Sequence, residues 1–481
     1  MSTPTPPHPR PPELAHEVNA HRMARSARSP GVVVPSLRDF LRSVDEARER
    51  IYTTAEPVPL DRLDGWDHTP DGAALAHRSG GFFRVVGVSV DMPDGAVPRW
   101  SQPIIHQPET GILGFLVREF DGVPHLLAQL KPEPGNRNGL QISPTVQATH
   151  SNYTGLHRGR RVPYLEHFLD PPPGRVLADV RQSEQGAWFL GKRNRNMVVE
   201  TTADVEVLDG FQWLTLGQLH GLLSVDDMVN MDSRTVLSCL PFSGAGAPTA
   251  GSGFGAALDR SCGPEGGALH STTDLLSWVT GARSVARGST TRAPLRSLPG
   301  WRQADGRISH EDGLFFDVIG VRVEAAGREV DRWSQPMLAA RGTGLVALLV
   351  AEFGGVLHLL LNLRPEPGLL DGPELAPTVQ CTPDTYARLP ADARPVFLDE
   401  ILAAGPERVR FDAVQSDEGG RFYHTASRHL VVETDPLPEP PGFRWMTLRQ
   451  AQELLRHSNY LNVQARSLLA CLRSLTGREE P

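Results

Sequence analysis

The sequence predicts an α+β protein built from two tandem copies of one domain, each a mixed, mainly antiparallel sheet with flanking helices. Three observations carry this expectation. The string Arg-Trp-Ser-Gln-Pro is written twice, at Arg99–Pro103 and Arg332–Pro336, an offset of 233 residues. Nearly the same offset aligns motif after motif through both halves, which marks a duplicated domain rather than a short-period solenoid. Within each copy, apolar runs flank dipeptides suited to tight hairpins, and helical stretches open on capping phrases.

Taken in order, the chain begins "MSTPTPPHPRPP", Pro-rich and without the apolar stretch of a signal peptide, so residues 1–35 are expected to be a disordered tail. The first repeat, 36–240, opens on a helix-like stretch near Leu37–Arg50, and "PLDRLDGW" ending at Trp66 faces "PLRSLPGW" ending at Trp301. "GFFRVVGV" (Gly81–Val88) meets "LFFDVIGV" (Leu314–Val321). A hairpin is predicted around Asp121-Gly122, with Gly354-Gly355 in the same slot; both pairs tolerate positive φ. "KPEPG" (Lys131–Gly135) meets "RPEPG" (Arg364–Gly368), and "SPTVQ" (Ser143–Gln147) meets "APTVQ" (Ala376–Gln380). "QSEQG" (Gln182–Gly186) meets "QSDEG" (Gln415–Gly419) in the turn between two strands, the second of which carries "RNMVVET" or "RHLVVET". Thr215 with Gln218, and Thr447 with Gln450, form the capping-box pattern at the next helix. A last helix carries "NMDSRTVLSCL" or "NVQARSLLACL". Residues 241–270 read as a Gly/Ala-rich linker, and 271–481 as the second repeat.

Composition narrows the class. A net charge of −8 gives no basic field for nucleic acid. The four cysteines are scattered without metal or disulfide spacing, which points to a reducing cytoplasm. No apolar run approaches the ~20 residues of a membrane span. Nearly all basic residues are arginine; Lys131 and Lys192 are the only lysines.

At "RWSQP…EPGN…SPTVQAT…SNYT" and "RWSQP…EPG…APTVQCTP…HLVVET" the sequence resembles the NDP-hexose 2,3-dehydratase family, over about Ser36 to Leu472. The resemblance implies tandem Nudix-like domains, a homodimer and a nucleotide-sugar pocket in each half. It implies dTDP-4-keto-6-deoxy-D-glucose as substrate, loss of water across C2 and C3, and a 3-ketoreductase acting on the product in deoxysugar and antibiotic biosynthesis. "FRWMTLRQAQELL" resembles the closing segment of Nudix domains. The acidic Arg-Glu-x-x-Glu-Glu box that binds Mg²⁺ there is missing from both repeats, which argues against a Nudix-type hydrolase. A non-catalytic nucleotide-sugar binding module stays open as an alternative.

The implied reaction needs a base for the C3 proton, an acid for the C2 hydroxyl, donors to the C4 oxygen and cations for the pyrophosphate. No electrons leave the substrate, so neither nicotinamide nor flavin is expected, and no residues have metal-ligand spacing. Lys131 and Glu133 sit where a hairpin strand ends in a Pro-rich turn: Glu133 as base or as a residue that merely orders the turn, Lys131 for the C4 oxygen or a phosphate. Trp100 and Trp333 offer stacking faces for thymine, or core packing. Gln147 and Gln380 offer amides to base or sugar, and Arg364 stands where the first repeat has Lys131. Asn152, Tyr153, His157 and Arg158 crowd one basic loop, with Tyr153 or His157 a source of the acid. Lys192 and Arg195 suit a diphosphate clamp, with Arg428 the mate of Arg195. His429 is a polar addition in the second repeat, whereas His125 and His358, inside apolar strands, read as core. The first repeat is expected to hold the chemistry, with a site shared between the halves left open.

Overall fold

A computed structural model describes residues 12–149, 161–243, 252–263, 266–326, 330–386, 388–389 and 391–477. The protein is α+β, and its four sheets are mainly antiparallel. Each repeat has a central seven-stranded sheet. In the first, the strands run in the order Val176–Ser183, Arg193–Glu200, Gly111–Phe120, Val123–Pro132, Phe211–Thr215, with Leu140–Ser143 and Val146–Ala148 appended. The second repeats this plan, and in each the one parallel pairing joins the strand after the "QS" turn to the hairpin's first strand. The hairpins turn at Asp121-Gly122 (φ 47° and 75°) and Gly354-Gly355 (φ 56° and 86°). Positive φ at both central residues matches strand twist, as the dipeptides predict. Both capping boxes form, at Thr215 and Thr447.

The smaller, five-stranded sheets exchange strands between repeats. Tyr52–Val58 pairs along its whole length with Phe316–Ala326 of the second repeat. Ser289–Ala293 pairs in return with Arg84–Asp91 of the first. Eight residues beyond each exchanged strand a tryptophan reaches across to the other repeat: Trp66 Nε1 donates to Ser334 O at 2.8 Å, and Trp301 Nε1 donates to Ser101 O at 2.7 Å.

Two expectations need correction. Residues 12–28 of the expected tail form a helix with Ala20, Met23 and Ala24 buried, and Phe254–Ser261 of the expected linker form another. They are counterparts. Ser26 and Ser261 each present a hydroxyl to the main-chain N–H that opens a capped helix, Leu216 N at 2.9 Å and Leu448 N at 2.8 Å. His125 and His358, fully buried, accept from Val32 N and Leu269 N, each at 3.3 Å, on the segments that follow. Burial lowers the pKa of both rings. They are core histidines, as read.

The helices Met231–Ser238 and Val463–Arg473 pack together where the halves meet. Arg234 Nε donates to Ser467 Oγ at 2.5 Å and Arg466 Nε to Thr235 Oγ1 at 2.6 Å. Both guanidiniums are buried, and each also donates to main-chain carbonyls, which offsets part of the desolvation of two buried charges. One hydrophobic cluster runs through both halves around them.

Candidate active site

A cavity of about 500 Å³ opens on the first repeat, and both repeats line it. Lys131 and Glu133 come from the end of Val123–Pro132 and the turn beyond it, Gln147 from Val146–Ala148, Lys192 and Asn194 from the start of the strand after the "QSEQG" turn, and Glu184 from that turn. Asp232 enters from the first turn of Met231–Ser238. Trp333 and Gln335, and the loop carrying Glu418 and Arg421, arrive from the second repeat. Trp66, His77, Phe82 and Phe83 add an aromatic side to the lining.

The "PEPG" and "QS–EG" motifs explain how a loop of one repeat reaches the other. Gly135 N donates to Gly419 O at 2.8 Å and Gly135 O accepts from His424 N at 3.0 Å; Gly368 makes the reciprocal pair with Gly186 O at 2.7 Å and Gly191 N at 2.9 Å. A methyl group on Gly135 or Gly368 would overlap the carbonyl oxygen of Phe422 or Phe189. The repeated glycines are therefore points of close backbone approach.

Glu133 is buried, accepts from Gln147 Nε2 at 3.0 Å and lies 4.0 Å from Lys131 Nζ. The orientation of the Gln147 amide is settled by its other partners: Ser143 Oγ and Asn230 Nδ2 both donate to Oε1, at 2.8 and 3.2 Å. Glu133 is thus held as an acceptor. Asn194 Nδ2 donates to Glu184 Oε1 at 2.6 Å, and Lys192 Nζ donates to Glu109 O at 2.6 Å. Burial raises the pKa of Glu184, against the pull of Arg466 and Lys192, and lowers that of Lys192, against the pull of Glu184. Burial, with Glu184, Glu418 and Glu133 nearby, pushes Asp232 well above the usual carboxylate range. Glu418 is pushed up to about 7 by burial, against Arg421, with Glu133 and Glu184 adding to the rise. Arg421 lies 4.2 Å over the Phe83 ring and donates to Gln107 Oε1 at 3.2 Å. The cavity therefore places a carboxyl held as a hydrogen-bond acceptor beside three carboxyls that burial biases toward the protonated form.

The corresponding positions of the second repeat lack that set. Thr425 stands for Lys192, Gln464 for Asp232, Gln185 for Glu418 and Trp188 for Arg421. The Trp188 ring packs 4.9 Å from Phe316 and 5.0 Å from Phe422.

The cavity brings together Lys131, Glu133, Gln147, Lys192 and, from the other repeat, Trp333. It does not include Trp100, whose Nε1 donates to Gln102 Oε1 at 2.8 Å. Nor does it include Arg195, which forms a two-pronged ion pair with Asp179 at 2.8 and 2.6 Å and borders a shallower depression with Arg181. Arg428 pairs with Asp412 at the same distances, so a cross-strand ion pair accounts for the repeated arginine. Arg364 lies 3.4 Å from Glu366, which accepts from Gln380 at 2.9 Å, the Lys131–Glu133–Gln147 arrangement over again. His429 is buried, donates from Nδ1 to Ser427 O at 3.0 Å, and is pushed down to about 3 by burial and Arg234. Asn152, Tyr153, His157 and Arg158 lie outside the described residues. Glu184, Asp232, Glu418 and Arg421 were not expected from the sequence. For Asp232, Glu418 and Arg421 the signal is that the two repeats differ in charge there, whereas Glu184 faces another acid, Asp417, at the matching place.

The NDP-hexose 2,3-dehydratase family model matches residues 37–240 and again 272–472. The chain belongs to the NDP-hexose 2,3-dehydratase family. Relatives named dTDP-4-dehydro-6-deoxy-alpha-D-glucopyranose 2,3-dehydratase include one from Saccharopolyspora spinosa, 48% identical over 95% of both chains. Another, from Streptomyces violaceoruber, is 50% identical over 87% of this chain and 93% of its own. A third, from Amycolatopsis orientalis, is 45% identical over 95% and 94%. The two family matches cover the two repeats, and the cavity of this 2,3-dehydratase family member draws on both. Among the described residues no helix is long and apolar enough to cross a membrane.

Proposed function

We propose that the chain is a hydro-lyase that removes water across C2 and C3 of dTDP-4-keto-6-deoxy-D-glucose, giving a 3,4-diketo-2,6-dideoxy sugar nucleotide. The observation that carries this reading is the first-repeat cavity, where Glu133 is held as an acceptor beside Lys131 and shares the space with three carboxyls of raised pKa. Glu133 takes the C3 proton, and the electron pair moves to the C4 oxygen, which faces the lysine charge. Collapse of that enolate forms the C2–C3 double bond as the C2 hydroxyl leaves with a proton. The resulting enol at C3 becomes the ketone when C2 is protonated. Trp66, Phe82 and Trp333 offer stacking faces to base and sugar.

Each central sheet with its helices is Nudix-like in this reading, and the enzyme works as a cytoplasmic homodimer in antibiotic deoxysugar biosynthesis. A vicinal diketone is reactive, which calls for a 3-ketoreductase to consume it. Incubating the pure protein with the 4-keto sugar and an aromatic diamine tests the activity. The expected product is the quinoxaline of the diketone. Release of dTMP would instead indicate a hydrolase, and saturable binding of unchanged substrate a binding module.

A further inference from the structure

We propose that Glu418, supplied by the second repeat, is the acid that protonates the departing C2 hydroxyl in the first repeat's cavity. This rests on the elimination proposed above and names the source of its second proton.

Position is the first argument. The loop carrying Glu418 is fastened to the first repeat through Gly135 and Gly419, and Gln335 Nε2 holds it again through Gly420 O at 2.6 Å. The site a Cβ would occupy on Gly420 lies 2.5 Å from Glu418 Oε1 and 3.6 Å from Glu133 Oε1. Both distances start from one point, so the two carboxyl oxygens border the same small space. Base and acid in this elimination serve adjacent carbons, and each must approach within ~3 Å. Two carboxyls that border one small space in the same cavity meet that demand.

Hydrogen bonding is the second. Glu418 Oε2 is buried and has no hydrogen-bond partner among the described residues. A buried carboxyl in that condition favours its neutral form. Glu133, Lys131, Glu184, Lys192, Asp232 and Arg421 are the charged or titratable groups around it; the balance raises Glu418 to about 7, where the acid form is well populated at neutral pH. Glu184 Oε2 is likewise without a partner among the described residues, but its other oxygen is committed to the Asn194 amide.

The third argument is the internal control. Gln185 occupies the corresponding position of the other loop. Its carbonyl accepts from Trp188 N and Phe189 N, at 3.0 and 2.8 Å, just as that of Glu418 accepts from Arg421 N and Phe422 N, at 3.3 and 3.0 Å. The loop therefore folds with a neutral isostere, and the carboxyl is not needed for its shape.

The proton count closes. Glu133 gains the C3 proton and Glu418 loses its own to the leaving water. When the enol becomes the ketone, Glu133 returns its proton to C2 and Glu418 recovers one from the C3 hydroxyl. Both groups end as they began.

The test uses Glu418→Gln in the full-length protein, with the 4-keto sugar and its 2-deoxy-2-fluoro analogue in D₂O. For the natural substrate, elimination should fall roughly 10²–10⁴-fold, while deuterium still enters at C3 and dTDP affinity holds. The fluoro analogue, whose leaving group needs no proton, should be processed nearly as fast by the variant as by the wild type, and Glu418→Asp should recover part of the natural activity. Natural-substrate turnover near wild type in Glu418→Gln, or an equal loss on both substrates, would overturn the assignment. A wild-type protein that neither exchanges C3 nor eliminates would instead sink the proposed function itself.

Discussion

Gly135 and Gly419, from different repeats, meet main chain to main chain, N–H to carbonyl at 2.8 Å, and this contact carries Glu418 toward Glu133. The contact belongs to fold and site at once. It is also the reason the chain writes Pro-Glu-Pro-Gly twice, since Gly368 does for the other loop what Gly135 does for this one.

Gly135→Ala should therefore damage both. The added methyl meets backbone, which cannot rotate away, so the substitution should cost at least the ~1–3 kcal/mol of core overpacking and turnover should collapse with it. Gly174, with nothing within 4 Å of an added Cβ, is the control. Urea midpoints of Gly135→Ala and Gly174→Ala should separate clearly; equal midpoints would mean the loop yields.

Glu133 and Glu366 share amide partner and cation, so hydrogen bonding alone does not distinguish them. Their surroundings do, because Glu133 faces Asp232, Glu418 and Lys192 where Glu366 has Gln464, Gln185 and Thr425. Glu133→Gln should lower kcat by roughly 10²–10⁴-fold with binding nearly intact, and Glu366→Gln should leave kcat close to wild type. The reverse ranking would move the chemistry to the second repeat.

Arg195→Ala should change kcat and KM little. Its guanidinium is occupied by Asp179 outside the cavity, and a partly exposed pair of this kind contributes about 0–1 kcal/mol. A large rise in KM would show that substrate phosphate reaches the shallow depression beside Arg181 and Arg195.

These contrasts show what could be read from the sequence. Hairpins, capping boxes and the doubled plan were legible because each is set by neighbours a few residues apart, as at Asp121-Gly122 and Thr215/Gln218. The exchange of Tyr52–Val58 for Ser289–Ala293 was not, since alike repeats offer each strand two equally suitable partners. The helix at Pro12–Arg28 was hidden by its Pro-rich approach and by a buried face made chiefly of alanines and Met23. In the cavity, matching motifs led to Lys131, Glu133 and Gln147, and the scarcity of lysine to Lys192. The same motifs also led to Arg195 and Arg428, because a repeated ion pair and a repeated ligand contact leave the same trace. Glu418 and Asp232 became visible only when the repeats were compared for their differences.

Glu374 lends itself to a test of pH dependence away from the cavity. It is buried, accepts from Ser183 Oγ at 2.6 Å, and is pushed up to about 7, mainly by burial, from an ordinary 4.5. The folded state thus binds the proton more tightly than the unfolded chain. That contribution is complete below the unfolded pKa and is lost as pH rises through about 7. Glu374→Gln should therefore flatten the fall in urea midpoint between pH 5 and pH 8. Parallel curves for variant and wild type would show that Glu374 titrates normally.

The exchanged strands carry the last expectation. Seven residues of the first repeat, Tyr52–Val58, complete a sheet of the second, five return the pairing at Ser289–Ala293, and one hydrophobic cluster runs through both halves. Neither half can close its outer sheet alone, and the first-repeat cavity takes Trp333, Glu418 and Arg421 from the second. A protease site inserted between residues 244 and 251 should thus be cleavable without separating the halves. The nicked protein should elute as one species and keep its turnover, since the described residues that line the cavity lie on either side of the cut. After denaturation, each half refolded by itself should be inactive, and refolding the two together should restore activity. Separation of the halves in native buffer would show that the exchanged strands do not hold them. Activity from residues 1–243 alone would show that the second repeat supplies nothing the chemistry needs, and the role given to Glu418 would fall with it.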